Sequence, residues 1–168
     1  MKLRYRYRIY PNREQVRRLA QLFGCARVVW NDALALSQEI YKQGGKYPGG
    51  ASLMKQVVTQ AKQTVERSWL ASVSVVPLQQ SVRDLDTAFR NFFNSVADKR
   101  KGPKVSMPRF KKRHSAQSVR FTTRGFRCRV NGKLYLAKVG DVKVKWSRNT
   151  NSLKSCISQS CVEPVPAR

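Results

Sequence analysis

The N-terminal stretch RYRYRIY, residues 4–10, alternates arginine with aromatic or aliphatic residues. Side chains of an extended strand point alternately to opposite faces, which separates two sets of residues. One face carries Leu3, Tyr5, Tyr7 and Ile9, and the other carries Arg4, Arg6 and Arg8. A lone strand is unstable, and the segments that follow read as helices, so this strand must pair with one far along the chain. The sequence therefore predicts a helical region inserted into a small β-domain.

The segment after the first strand has the features of a helical region. Asn12 and Gln15 resemble a capping box that starts a helix. Apolar residues at helical spacing then predict two helices, or one helix kinked near Gly24. Residues 42–52 are rich in Gly and Pro and predict a loop, after which Ser52 would cap a further helix.

The clearest helix is expected after Pro77, where large apolar residues recur at intervals of three and four. They are Leu78, Val82, Leu85, Phe89, Phe92, Phe93 and Val96. Such a stripe packs a helix into a core far more often than it stacks on nucleic-acid bases. We therefore interpret it as one helix of a small bundle.

The residue composition changes at Lys99, where a basic linker that contains Gly and Pro begins. It leads into segments in which polar and apolar residues alternate, as is typical of strands. Asn131 and Gly132 lie between two such segments and predict a β-hairpin. The resulting organisation has four parts: a first strand (1–10), a helical region (11–98), the basic linker with the remaining strands (99–148) and an irregular tail (149–168). The expected fold class is α+β.

The chain of 168 residues carries a formal net charge of +25 and a pI near 10.9. Its hydrophobic share of 41% is sufficient for a core, so the charge must lie on a folded surface. Nucleic acid is the leading partner for such a surface, and an anionic membrane surface is a distant second. No apolar run approaches the roughly 18 residues of a membrane span, and no signal peptide is apparent, so we expect an intracellular, cytoplasmic protein.

Catalytic and metal-binding patterns are absent from the sequence. The four cysteines form no C-x-x-C pair, and His114 is the only histidine, so we expect no metal site. Cys25 falls on an apolar helical face and is expected to be packed and reduced. The nine acidic residues show no converging pair for metal-dependent phosphoryl chemistry, and phosphate-binding or dinucleotide motifs are missing. The sequence thus indicates neither a cofactor nor an independent enzyme.

Residues 99–113 contain eight lysines and arginines and no acid. This run is either a solvated linker or a surface that follows a phosphate backbone. We favour the second interpretation, because Phe110 interrupts the run and the strands beyond it carry further arginines such as Arg120.

Several blocks of the chain, in order, resemble the N-terminal region of the TnpB family, the OrfB-type proteins of insertion sequences that are related to type V CRISPR nucleases. The blocks are RYRIYPNREQ, LFGCARVVWNDAL, WLASV, LQQSVRDLDTAFRNFF, PRFKKR and SVRFT. The resemblance spans Lys2 to about Trp146. It implies a split β-barrel "wedge" domain interrupted by a helical recognition lobe, which older descriptions call helix-turn-helix-like.

The resemblance also implies RNA-guided DNA targeting, with a structured guide RNA and double-stranded DNA as partners and no small-molecule substrate. Gln79 falls where family members approach the flanking DNA motif, and glutamine suits bidentate recognition of adenine. Gln80, Arg83 and Arg120 are further candidate contacts. The basic block of the family, which resembles a guide-RNA contact, corresponds to Arg109, Phe110, Lys111, Lys112 and Arg113, and we add the opening arginines Arg4, Arg6 and Arg8.

The departure from the family lies beyond Trp146, where its RuvC nuclease and zinc ribbon are not found. We expect a gene truncated near Ser155, whose product binds nucleic acid without cleaving it. A standalone DNA-binding repressor or transposition regulator is the alternative. An active nuclease is a third possibility, for which none of the nine acids is evidently placed.

Overall fold

The computed structural model describes residues 7–146 and the backbone of residues 159–162. Its α-helices are α1 (Arg13–Lys42), α2 (Gly49–Met54) and α3 (Val75–Val96). Its strands are β1 (Arg8–Tyr10), β2 (Val119–Thr122), β3 (Phe126–Cys128), β4 (Leu134–Leu136), β5 (Gly140–Lys145) and β6 (Gln159–Val162). The α+β class and the order of strand, helices and strands are confirmed.

The first strand pairs with a strand more than a hundred residues later, as predicted. β1 runs antiparallel to β5, with Ile9 opposite Val144. These strands belong to a four-stranded sheet in the order β1-β5-β4-β3. Along the chain, the helices of the described residues therefore come after β1 and before β5, two neighbouring strands of one sheet.

The second sheet contains β2 and β6 only, paired antiparallel with Val119 opposite Val162. β6 lies in segment 149–168, which the sequence predicts to be irregular. That expectation is wrong for residues 159–162, because their backbone completes a strand pair with β2. The low periodicity of the tail concealed this strand, since a four-residue strand leaves little pattern to detect.

Helix α1 begins with the predicted capping box. The Gln15 backbone N–H donates to Asn12 Oδ1 at 2.8 Å, and the Asn12 N–H donates to Gln15 Oε1 at 3.0 Å. Gln15 Nε2 also donates to the carbonyl of Asp141 in β5 at 2.9 Å, which ties the start of the helix to the sheet. Of the two arrangements considered, a single helix is correct, and Gly24 lies inside it.

The segment between α1 and α3 differs from the prediction. α2 already begins at Gly49, so Ser52 lies within the helix and is not its N-cap. A π-helical stretch, Lys55–Gln60, follows, and then two 3₁₀ segments, Ala61–Gln63 and Val65–Ser72. The helix predicted after Ser52 is therefore not a continuous α-helix, and Val65, in the last of these segments, is 94% exposed.

Helix α3 starts at Val75 and includes Pro77 in its first turn. Proline is tolerated there because the first backbone N–H groups of a helix have no partner within it. The predicted stripe is buried from Leu78 to Phe89, whereas Phe93 and Val96 at its end are 44% and 68% exposed. The core interpretation therefore holds for most of the stripe and not for its last turns.

One hydrophobic core joins the helical region to the strands. α1 and α3 pack together, and the buried Ser81 hydroxyl donates to the Ala26 carbonyl at 2.8 Å. α3 also packs on β2, whose Phe121 is fully buried. Cys25 is 2% exposed in this core, as predicted from its apolar face.

The predicted hairpin is present between β3 and β4. Arg129 N–H donates to the Lys133 carbonyl at 2.8 Å, and Gly132 N–H donates to the Arg129 carbonyl at 3.1 Å. Gly132 has φ = +75°, a conformation that glycine adopts without steric cost. Beyond the hairpin, the indole N–H of Trp146 donates to the Gly132 carbonyl at 2.6 Å.

Candidate nucleic-acid interface

The second half of the basic linker, residues 105–113, is an irregular segment anchored on the helices. We call it the basic strap. At its start, the Val105 N–H donates to Ser95 Oγ of α3 at 2.9 Å. Further along, the indole N–H of Trp30 in α1 donates to the Arg109 carbonyl at 3.0 Å. The strap is therefore held at two points by side chains from different helices.

A third anchor is bidentate. Asn31 of α1 donates from Nδ2 to the Lys111 carbonyl at 3.1 Å, and its Oδ1 accepts from the Lys111 N–H at 2.9 Å. One amide side chain thus satisfies both polar groups of a single strap residue, as a neighbouring strand would. The basic run is not a freely solvated linker at this point.

The Lys111 side chain is directed towards the protein. Its ammonium lies 4.0 Å from the centroid of the Trp30 ring, within the range of a cation–π interaction. Desolvation of the ammonium lowers the pKa of Lys111, while the nearby Asp84 carboxylate acts in the opposite direction. The residue remains exposed overall, but its charge is already occupied by these internal contacts.

The Arg120 side chain also contacts a group of the protein itself. Its guanidinium forms an ion pair and hydrogen bond with Asp84, which links β2 to α3. Burial raises the pKa of Asp84, and it outweighs the charges of Arg120 and Lys111, which lower it. Lys111 and Arg120, both predicted to contact nucleic acid, instead surround one carboxylate of the protein.

The other strap residues face solvent. Arg109, Lys112 and Arg113 are exposed, and Phe110 is 49% exposed. Three cations and one aromatic ring are therefore accessible along this segment, which is the combination that single-stranded nucleic acids bind through phosphates and stacked bases.

The three candidates on α3 differ in exposure. Arg83 is exposed and Gln79 is half-buried, and because they are four residues apart they lie on the same side of the helix. Gln80 is only 5% exposed, so it lies in the helical interior and not on the accessible surface. The sequence did not indicate that Gln80 is buried, because glutamine is usually a surface residue.

The sheet carries a second group of cations, only partly foreseen. Arg8 of β1 lies directly opposite Lys145 of β5, and Lys143 is two residues before Lys145. All three are exposed and share one side of the sheet, while Ile9 and Val144 face inward. We call Arg8, Lys143 and Lys145 the sheet cations. Arg4 and Arg6 lie outside the described residues.

The two lysines could have been found from the alternation in DVKVKW, which places Lys143 and Lys145 opposite the apolar valines. The register with β1, which brings them beside Arg8, required the structure. On the same side, Arg127 is exposed and lies opposite Tyr135 of β4. Arg129 contacts that ring at 4.7 Å and donates to Asp141 at 3.0 Å, so it is occupied within the fold.

Two further findings concern residues 7–146. The side chains of His, Cys, Asp and Glu in this range form no group of three or more that could hold a metal ion. None of the helices in this range combines the length and the apolar composition that crossing a membrane requires.

Comparison with known proteins places the chain among mobile-element proteins. Residues 1–46 match a family model described as a helix-turn-helix domain of OrfB proteins of IS605-type elements. In the structure this region contributes β1 and the single helix α1, so residues 13–42 hold no turn between two helices.

Three relatives are similar over most of the chain. A candidate RNA-guided DNA endonuclease of Streptomyces pristinaespiralis is 36% identical over 88% of this chain and 35% of its own length. The InsQ protein of Escherichia coli K12, described in the same way, is 32% identical over 94% of this chain and 37% of its own length. Virulence protein VsdF of Salmonella dublin is 30% identical over 63% of this chain and 89% of its own length.

The chain spans about a third of the length of the first two relatives and nearly the whole of the third. The family match lies at the N-terminus, and the sequence blocks noted above continue in order to Trp146. The chain belongs to the TnpB family of insertion-sequence proteins and corresponds to the N-terminal region of that family.

Proposed function

We propose that this chain binds nucleic acid, with a structured RNA as its main ligand and duplex DNA as a second one, and that it does not itself cleave either. The observation that carries the proposal is the presence of two basic surfaces, the basic strap and the sheet cations, on a folded protein. The strap exposes Arg109, Lys112 and Arg113, and the sheet exposes the three sheet cations. The names of two relatives, which describe RNA-guided DNA endonucleases, support the same ligands.

The roles proposed for the two surfaces follow from their chemistry. Lysine and arginine side chains bind phosphates without reading sequence, so both surfaces are expected to position a nucleic acid. Gln79 is the candidate for reading sequence, because a glutamine amide can bind adenine through two hydrogen bonds. We further propose that the two sheets and the helices correspond to the wedge domain and the recognition lobe of the family.

A salt titration tests the proposal. Each phosphate contact contributes a slope of about −0.9 to the dependence of log K on log[salt] for duplex DNA, and about −0.7 for single strands. Six exposed cations would then cost roughly 10³-fold in affinity between 50 and 200 mM salt. We expect this loss for a hairpin RNA derived from the transposon end, measured by fluorescence anisotropy with the purified chain. Affinity that is absent, or that does not respond to salt, contradicts the proposal.

Footprinting on transposon-end duplex DNA separates this proposal from the alternative of a standalone repressor. An RNA-dependent protein leaves no footprint on its own, whereas a repressor protects a defined stretch of duplex without RNA. Protection in the absence of RNA would replace the proposed function by a regulatory one.

A further inference from the structure

The anchors of the basic strap lie next to each other in the middle of α1. Trp30 binds the carbonyl of Arg109, and Asn31 binds both backbone groups of Lys111. Arg109 therefore carries one of the fixed backbone groups, and the other two exposed cations of the strap, Lys112 and Arg113, directly follow Lys111.

A basic segment without such anchors samples many conformations, and ordering it on a ligand costs conformational entropy at each residue. A segment already held in the bound form avoids most of that cost, and the saving appears as affinity. The anchors therefore have a physical route to influence binding although Trp30 and Asn31 carry no charge.

The contacts of Lys111 reinforce the same geometry. Its ammonium is fixed over the Trp30 ring and near Asp84, so its side chain is on the protein side of the strap. Lys112, the next residue, is exposed to solvent.

We infer that Trp30 and Asn31 are positioning residues for nucleic-acid binding, which fix the basic strap so that Arg109, Lys112 and Arg113 are presented together to a phosphate backbone. The inference rests on the proposed function, since it names the residues that prepare one of its surfaces. Neither residue is expected to touch the ligand.

Asn31→Ala is the direct test, because it removes two hydrogen bonds to Lys111 and changes no charge. Gln21→Ala is the matched control: Gln21 is an amide on the same helix, and its Nε2 donates to Ser72 Oγ at 2.8 Å, away from the strap. Trp30→Phe is a second variant, which keeps an aromatic ring near Lys111 but loses the indole N–H to the Arg109 carbonyl and part of the ring surface.

The first readout is hydrogen exchange of the peptide covering residues 105–113, measured by mass spectrometry on the free protein. Of the two hydrogen bonds at Asn31, one protects the Lys111 N–H, so its loss should speed exchange of that amide within the peptide by about 5- to 10-fold, which corresponds to about 1 kcal/mol. Gln21→Ala should leave it unchanged. Unchanged exchange in Asn31→Ala would overturn the anchoring, whether or not the protein binds nucleic acid.

The second readout is affinity for the hairpin RNA across the salt titration. We expect Asn31→Ala to bind about 5- to 10-fold more weakly, with a shallower salt slope although no cation has been removed. Trp30→Phe should change both in the same direction, and Gln21→Ala should match the parent chain. Faster exchange with unchanged affinity and slope would overturn the positioning role, whereas a parent chain that fails to bind RNA would refute the proposed function itself.

Discussion

Arg8 and Lys145 lie directly opposite each other in the sheet. We therefore expect the positive charge that favours nucleic-acid binding to lower the stability of the fold. Like charges directly opposite in an antiparallel pair are destabilising, by roughly 0.2–1 kcal/mol. Two unit charges about 7 Å apart in water repel by about 0.6 kcal/mol, which agrees with that range. Neutralising Lys145 should therefore stabilise the fold, although it weakens the proposed phosphate surface.

The perturbation is Lys145→Gln, with Lys46→Gln as a control that removes the same charge from the loop between α1 and α2. For a chain of this size, about 0.6 kcal/mol corresponds to a rise in Tm of roughly 2 °C. We expect that rise for Lys145→Gln at 20 mM salt in thermal unfolding followed by circular dichroism. It should disappear at 1 M salt, where the Debye length is about 3 Å.

The same variant should lose one phosphate contact. With the hairpin RNA bound, its slope of log K against log[salt] for a DNA duplex should be shallower by about 0.9, so between 50 and 200 mM salt its loss of affinity is about 3-fold smaller than that of the parent chain. The reasoning is refuted if Lys46→Gln raises Tm as much as Lys145→Gln, because the gain would then reflect net charge and not the cross-strand pair. An unchanged slope would remove Lys145 from the binding surface.

Three further predictions concern sequence reading, packing and pH. In competition binding with the hairpin RNA bound, Gln79→Ala should reduce the preference for one duplex sequence over another, whereas alanine at Arg109, Lys112 and Arg113 should weaken binding to all sequences alike. Gly24→Ala should stabilise the chain by about 0.5–1 kcal/mol, because a Cβ at this position of α1 would meet no atom within 4 Å. Gly125→Ala should destabilise the chain by about 1–3 kcal/mol, because its Cβ would lie 2.9 Å from the Phe121 ring. Urea unfolding measures both changes. Burial raises the pKa of Cys25 from 9.0 to about 11, so the stability that the neutral thiol contributes is complete below pH 9 and is lost as the pH rises through 11. The free energy of unfolding should therefore fall by about 1 kcal/mol between pH 9 and 10. Cys25→Ala should lack this pH-dependent component.

The sequence predicted those parts of the fold that depend on local chemistry. The capping box at Asn12 and the hairpin turn at Gly132 are set by residues a few positions apart, and both are present. The long-range pairing of β1 was predictable too, because a lone strand must find a partner. The identity of that partner, β5, depended on packing over the whole chain and could not be read from the pattern.

The candidate site was harder to predict because charge in a sequence says nothing about its neighbours. Lys111 and Arg120 read as free cations, yet both approach Asp84 in the structure. Gln80 reads as a surface residue, yet it is buried between helices. The anchoring by Asn31 was invisible for a related reason: its partner lies 80 residues away, and the contact is to backbone, which leaves no trace in side-chain pattern.

The ion pairs show how the fold divides its charges between stability and binding. Acidic side chains of the described structure pair with arginines of other segments, Asp32 with Arg67, Asp84 with Arg120 and Asp141 with Arg129, and Asp86 pairs with Arg90 within α3. The strap contains no acid, and in the sheet Arg8 lies opposite Lys145, so that two like charges repel each other. A bound polyanion would relieve that repulsion and stabilise the fold by mass action, by about 2.7 kcal/mol at a ligand concentration of 100 Kd. Stability measured with and without RNA therefore reports on the same unpaired cations that the salt titration counts.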